Sequence, residues 1–419
     1  MDNKVTIKGM FKNYAGLPFS IYILFVARII NRFGGFVHAF LALFLSTYLG
    51  MSESEIGTYV LLAGVAGFGG AYIGGKLSDR FSRKTIYLMA QSLAAVLFIP
   101  CGFFATRNLE YIPILLIISA FFSSVIRPVS NAMVADIVSK EDRKRAYSLL
   151  YLGINVGVAL GPMVAAFLLE NYLTWFFWGD AVTTFIAVIL VAVYVEEKVI
   201  TDEEMDAISD DDDEAKESGH AFAALLKRPK ILIFMLFAVI NSMMYAQSGF
   251  AFPLLLKDLF GGSEGVAFYA QLIMINAIVV LALTSAIHYL TQQIKPIYNI
   301  AMASLFYAVG FGMMSFIEAK SLFVVSIIIW TIGEIQAVTN QNVYLMSLTP
   351  INYRGRFGAI TSIIFSVGYI GSPKLAGIII EEKGQPFLWN IMFVMGVVAA
   401  LGYLLLARIE EKENMVKIE

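Results

Sequence analysis

The chain has 419 residues, 58% of them hydrophobic and only 15% charged, and its mean hydropathy is +0.74. Those values exclude an ordinary water-soluble globular domain. The net charge of −2 says little by itself, and the single cysteine, Cys101, excludes an intrachain disulfide and carries no redox or metal argument.

Apolar stretches of about 20 residues, enough to cross a bilayer core as a helix, recur along the chain. Helices are required because hydrocarbon offers no partner to an open backbone. Twelve spans are predicted, at 18–48, 54–77, 85–106, 112–137, 146–168, 175–196, 230–256, 267–290, 297–317, 322–348, 357–380 and 388–410. The first is too long, and followed by too many others, to read as a cleaved signal. The expected fold class is an all-α polytopic membrane protein.

The first span carries Arg28, Asn31 and Arg32, with the two arginines four apart on one helix face, and His38 nearer its far end. Between the second and third spans, "GGKLSDRFSRKTIY" at 74–87 gathers Lys76, Asp79, Arg80, Arg83 and Lys84. The fourth span holds Arg127 near its middle, then Asn131 and Asp136. The fifth holds Asn155 and "GVALGPMVAA", with Gly157, Gly161 and Pro162; small residues let helices approach closely and proline permits a bend. Asp180 opens the sixth span.

From Asp202 to Glu217 there are ten acidic residues against Lys216. Such a stretch cannot bury a core. It is read as a linker, 198–229, dividing six spans in 1–197 from six in 230–419. His288 ends the eighth span, Glu334 lies mid-depth in the tenth, with Asn342 beyond it, and Lys374 follows Pro373 in the eleventh. At a constant offset of 211, Asn131 meets Asn342, Arg143 meets Arg354, Arg145 meets Arg356, Pro162 meets Pro373 and Trp178 meets Trp389. The match indicates an internal repeat and hence two pseudo-symmetric six-helix bundles, the architecture of secondary transporters with a site near the midplane.

With the N-terminus inside, 22 of the 30 Lys and Arg fall in inner segments or at the inner ends of spans, four in outer loops and four deeper within spans. Both termini are therefore expected in the cytoplasm of a cell with this protein in its plasma (inner) membrane. The 74–87 loop is then cytoplasmic. Its basic residues suit topology anchoring, but Asp79 needs another reason, and a latch with Gly75, Arg80, Arg83, Lys84 and Asp136 supplies one.

The stretch Gly75 to Lys84 resembles the signature between the second and third helices of the major facilitator superfamily, with Ser82 where glycine is usual. "GVALGPMVAA" resembles the antiporter motif of its 12-helix drug:proton antiporters. "NRF" at 31–33, "RPVSN" at 127–131 and "YLGINVG" at 151–157 are similar to proton-coupled oligopeptide transporters, although Arg28 and Asn31 stand where that family has paired glutamates. The resemblance implies alternating access; ionisable groups within spans are costly and so mark functional candidates, and Arg28, Asn31, Arg32, Arg127, Asn131, Asn155, Glu334, Asn342 and Lys374 are read as lining a substrate and proton cavity. Taking a carboxylate such as Glu334 out of water favours its neutral form, which suits proton exchange. Gly157, Gly161, Pro162 and Pro373 serve packing or hinge motion, and Asp180 and Lys374 are read as either functional or structural ion pairs.

The expected activity is proton-coupled antiport of small amphipathic compounds; the alternatives are proton-coupled symport of peptides or organic anions, and a transporter-like receptor. No phosphate-binding GxxxxGK[ST] or metal-ligand cluster is present, so neither an ATP-driven pump nor an enzyme is expected. No cofactor beyond a proton gradient, no metal and no nucleic-acid partner is expected. The partners are the small-molecule substrate, protons and the lipid bilayer, and the chain is expected to act as a monomer.

Overall fold

The computed structural model describes residues 14–78, 80–139, 142–196, 225, 227–349 and 354–416. Asp79 and nearly all of the 198–229 linker lie outside them. Among the described residues there is no strand, and twelve helical segments are long and apolar enough to cross a membrane. They run Phe19–Tyr48, Glu53–Ser78, Arg83–Phe104, Leu109–Ile137, Arg145–Asn171, Leu173–Tyr194, Pro229–Phe260, Gly262–Thr291, Pro296–Ser315, Lys320–Leu348, Thr361–Lys383 and Gln385–Lys412. Large apolar side chains such as Val65, Phe103, Leu236 and Val394 stay exposed along them, as lipid contact requires.

Two spans differ from their expected form. The first is read from hydropathy as one run, yet helix Phe19–Phe33 stops at Gly34–Gly35 and a second helix, Phe36–Tyr48, begins. Two consecutive glycines lower the cost of leaving the helix. The seventh span also breaks, into Pro229–Ala246 and Ala251–Phe260 around Gln247 to Phe250. Pro253 falls in the first turn of the second piece, where a missing N–H costs little.

Contacts group the described residues into two compact units: those of Met1–Gly50 and Leu62–Val199, and those of Met51–Leu61 and Ile200–Glu419. In the first unit, Leu24 and Ala27 of the first span pack with Ala90 of the third, Val129 and Met133 of the fourth, Leu150 of the fifth and Val191 of the sixth. In the second, Phe234 and Ala238 of the seventh pack with Ile300 of the ninth, Tyr344 of the tenth and Tyr403 of the twelfth.

The repeat is realised inside each unit. Gly157 of the fifth span lies against the first, where a Cβ would fall 2.7 Å from Ile29 O and Arg32 Cβ. Gly368, its mate at offset 211, lies against the seventh, where a Cβ would fall 2.9 Å from Val239 Cγ1. Trp178 of the sixth span donates to Ile99 O of the third at 3.0 Å, and Trp389 of the twelfth stacks on Phe311 of the ninth. Without a hydrophobic force between helices in lipid, such close small-residue contacts carry much of the cohesion.

Gly157→Val should therefore lower stability by about 1–3 kcal/mol through overpacking. Gly371→Ala, whose Cβ meets nothing within 4 Å, is the control. Thermal unfolding midpoints in detergent decide the matter, and equal midpoints for the two variants would contradict the packing account.

Candidate functional site

The predicted site residues fall into two groups, one in each unit. In the first unit, Arg28 Nη2 donates to Ser130 Oγ of the fourth span at 3.0 Å, and Asn31 Nδ2 donates to Thr184 Oγ1 of the sixth at 3.2 Å. Arg32 and Arg127 are exposed, and neither forms an ion pair among the described residues. Arg28, Arg32 and Arg127 lie near enough to repel one another, so together they form a positive cluster with no ion-pair partner among the described residues. Asn131 offers its backbone carbonyl to Tyr147 Oη at 2.9 Å, and Asn155 Nδ2 donates to Tyr151 O within its own helix at 2.8 Å.

In the second unit, Glu334 is half-buried and both its oxygens are held. Tyr245 Oη of the seventh span donates to Oε1 at 2.8 Å, and Asn276 Nδ2 of the eighth donates to Oε2 at 2.9 Å. Asn276 also donates to Thr331 Oγ1, one turn before Glu334, at 2.9 Å. The Tyr245 ring stands 6.2 Å from Trp330, 6.3 Å from Tyr307 and 6.5 Å from Tyr369. Among the described residues no cation pairs with Glu334. The carboxyl group is thus fixed by neutral donors at the edge of an aromatic cluster, a setting that attracts a proton or an organic cation.

Other predicted residues lie elsewhere. Lys374 Nζ reaches Ser54 at the start of the second span, with 2.6 Å to Oγ and 3.3 Å to the carbonyl, and Glu381 Oε1 accepts the Ser54 amide at 2.9 Å. It forms no ion pair with Glu334. Asp180 likewise has no ion-pair partner among the described residues and accepts the Val37 amide. Asn342 and His288 are exposed. Gly161 and Pro162 are buried in the fifth span, with Gly161 against the Phe33 carbonyl. Pro373 turns its carbonyl onto Gly57.

Of the loop residues, Arg83 forms an ion pair with Asp136 and donates to Ala132 O at 3.3 Å. Lys84 Nζ donates to Ala192 O at 2.8 Å. These contacts tie the start of the third span to the fourth and sixth inside the first unit. Arg80 is exposed, Gly75 O accepts Ser78 Oγ at 2.7 Å, and Asp79 lies outside the described residues.

Sequence reasoning missed Tyr245, Asn276 and Thr331. Asn276 carried a usable signal, since it is a lone amide inside "LIMINAIVV". Tyr245 did not, because tyrosines occur throughout the spans.

The comparisons with known proteins agree with this architecture. A family model, Major Facilitator Superfamily, matches residues 24–373. The uncharacterized MFS-type transporter YqjV of Bacillus subtilis (strain 168) is 24% identical over 369 residues, covering 88% of this chain and 88% of that protein. A Na(+), Li(+), K(+)/H(+) antiporter of Planococcus maritimus is 22% identical over 363 residues, covering 80% and 84%. The crystal structure of peptide transporter POT in complex with sulfate aligns with a TM-score of 0.67 at 15% identity, over 96% of this chain and 98% of that one, a likeness of fold. With twelve spans, a repeat at offset 211 and a family match over most of its length, the chain belongs to the Major Facilitator Superfamily of transporters.

Proposed function

We propose that the chain is a proton-coupled antiporter that exports small amphipathic compounds by alternating access. The observation that carries this is Glu334, whose oxygens rest on Tyr245 and Asn276 with no cation paired to it among the described residues. A carboxyl group held only by neutral donors accepts a proton or a cationic substrate in turn. That mutual exclusion is the physical basis of exchange, because each ligand must leave before the other binds. The name of the Planococcus relative supports proton exchange on a related scaffold.

In this reading the protein sits in the plasma membrane as a monomer with both termini in the cytoplasm. Asp79 and the Arg83–Asp136 pair belong to a cytoplasmic latch that holds the outward-facing state. The proton gradient is the energy source.

A second reading, proton-coupled symport of peptides or organic anions, draws on the grouped Arg28, Arg32 and Arg127, which suit a substrate carboxylate. The two readings differ in sign. Antiport is driven when protons enter from the side opposite the substrate, symport when they enter from the same side. A receptor on this scaffold would bind ligand with no flux under either gradient.

Two outcomes are expected in proteoliposomes loaded with a panel of cationic drugs, dipeptides and organic anions. Glu334→Gln abolishes flux driven by an imposed pH gradient while the protein stays folded in the membrane; unchanged flux would remove Glu334 from the mechanism. Asn276→Leu strips the donor from Oε2. A hydrogen bond to a charged group is worth about 1.5–3 kcal/mol, so pH-driven flux should fall about tenfold or more. Wild-type flux in a folded Asn276→Leu variant would contradict that role.

A further inference from the structure

The first unit holds a buried acid that the transport reading does not use. Asp180 of the sixth span is 5% exposed, and its Oδ2 accepts the amide of Val37 at 3.2 Å. Val37 is the second residue of Phe36–Tyr48, the part of the first span beyond the Gly34–Gly35 break. The residue before that helix, Gly35, has no side chain to cap it. The Asp180 carboxylate stands where a serine or aspartate caps an ordinary helix, at the positive end of the half-helix dipole.

The contact belongs to a fitted seam. Thr184 Oγ1 accepts Asn31 Nδ2 at 3.2 Å. Gly34 approaches Thr183 so closely that a Cβ there would fall 1.7 Å from Thr183 Oγ1. Residues 180, 183 and 184 share one face of the sixth span, and they meet residues 31, 34 and 37 of the first on both sides of its break. Any change at Asp180 is therefore felt at the bend.

No cation balances this carboxylate among the described residues. The sixth span packs on the third, the fifth and both parts of the first. The titratable groups on those elements include Arg28, Arg32, His38 and Tyr48 on the first span, Tyr87 and Cys101 on the third and Glu170 on the fifth; among the described residues no ion pair joins Arg28, Arg32 or His38 to Asp180. Its charged form is held by backbone N–H and by the half-helix dipole. A protonated carboxyl keeps such contacts only in weakened form, since hydrogen bonds to an ionised acceptor are about twice as strong.

We propose that Asp180 is a proton-operated clasp on the first span: ionised, it caps Phe36–Tyr48 and fixes the bend at Gly34–Gly35; protonated, it loosens the bend and frees the segment that carries Arg28, Asn31 and Arg32. The step forms one O–H bond with a proton from solvent and consumes nothing else. The clasp works without Glu334, which lies in the other unit, and so provides a second protonation site that acts on the arginine cluster.

The test uses the full chain in lipid nanodiscs, in a Cys101→Ala background, with spin labels at Phe19→Cys and Thr47→Cys, the two exposed ends of the first span. Pulsed EPR distances are recorded at acidic and alkaline pH. The parent should change its distance distribution with pH, Asp180→Asn should hold the acidic distribution at both, and Glu334→Gln should keep the parent's change. No change in the parent, a retained change in Asp180→Asn, or its loss in Glu334→Gln would each overturn the clasp. If Asp180→Asn does not fold, Asp180→Glu replaces it: a displaced pH midpoint supports the clasp, and an unmoved one overturns it. Because no substrate is needed, failure here is separable from failure of proton-driven transport.

Discussion

In hydrocarbon an unpaired backbone polar group costs several kcal/mol, and the helices of this chain are arranged around that constraint. Continuous helices satisfy it for most of the backbone. Where a helix breaks, a neighbouring span supplies the missing partner. Asp180 meets the freed amide of Val37 in the first span. In the seventh, Ser372 Oγ of the eleventh donates to the Met243 carbonyl at 3.3 Å, and within the span Gln247 O accepts the Phe252 amide at 2.9 Å. The breaks are thus anchored joints rather than weak points, and broken helices are where transporters place their ligands.

Transport needs a group that binds strongly enough to select and weakly enough to release. In the proposed mechanism Glu334 meets both demands by having neutral partners. An arginine beside it would neutralise it permanently, while the absence of any donor would keep it protonated. Tyr245 and Asn276 allow either state. The arginine cluster of the first unit has the complementary character, a positive group with no ion-pair partner among the described residues, which suits the acidic end of a solute in the alternative symport reading.

The twelve spans were legible because length and hydropathy alone set them, and the repeat because Pro162, Trp178 and Asn131 kept their mates at one offset. Gly157 and Gly368 keep the same offset, and the structure gives the reason, since each sits where its helix crosses its partner. The breaks were not legible. Around Gly34 and Gly35 the averaged hydropathy of the span stays high despite Asn31, Arg32 and His38, and a hydropathy run does not register a change of direction. Within the site, Glu334 and the arginines stood out because charge is rare in a span. Tyr245 did not, for its role depends on which ring faces Glu334, a fact of tertiary packing. Lys374 stood out equally, yet its long chain turns to Ser54, which intramembrane charge alone does not foretell.

The central claim is that Glu334 exchanges a proton for substrate at one place. Proton release on binding tests it most directly, measured with a pH indicator in weakly buffered detergent solution as wild-type protein is titrated with cationic amphipathic compounds. The account predicts release of up to one proton per bound molecule, fading at alkaline pH where the carboxyl group is already ionised. Saturable binding with no proton released at any pH would contradict it.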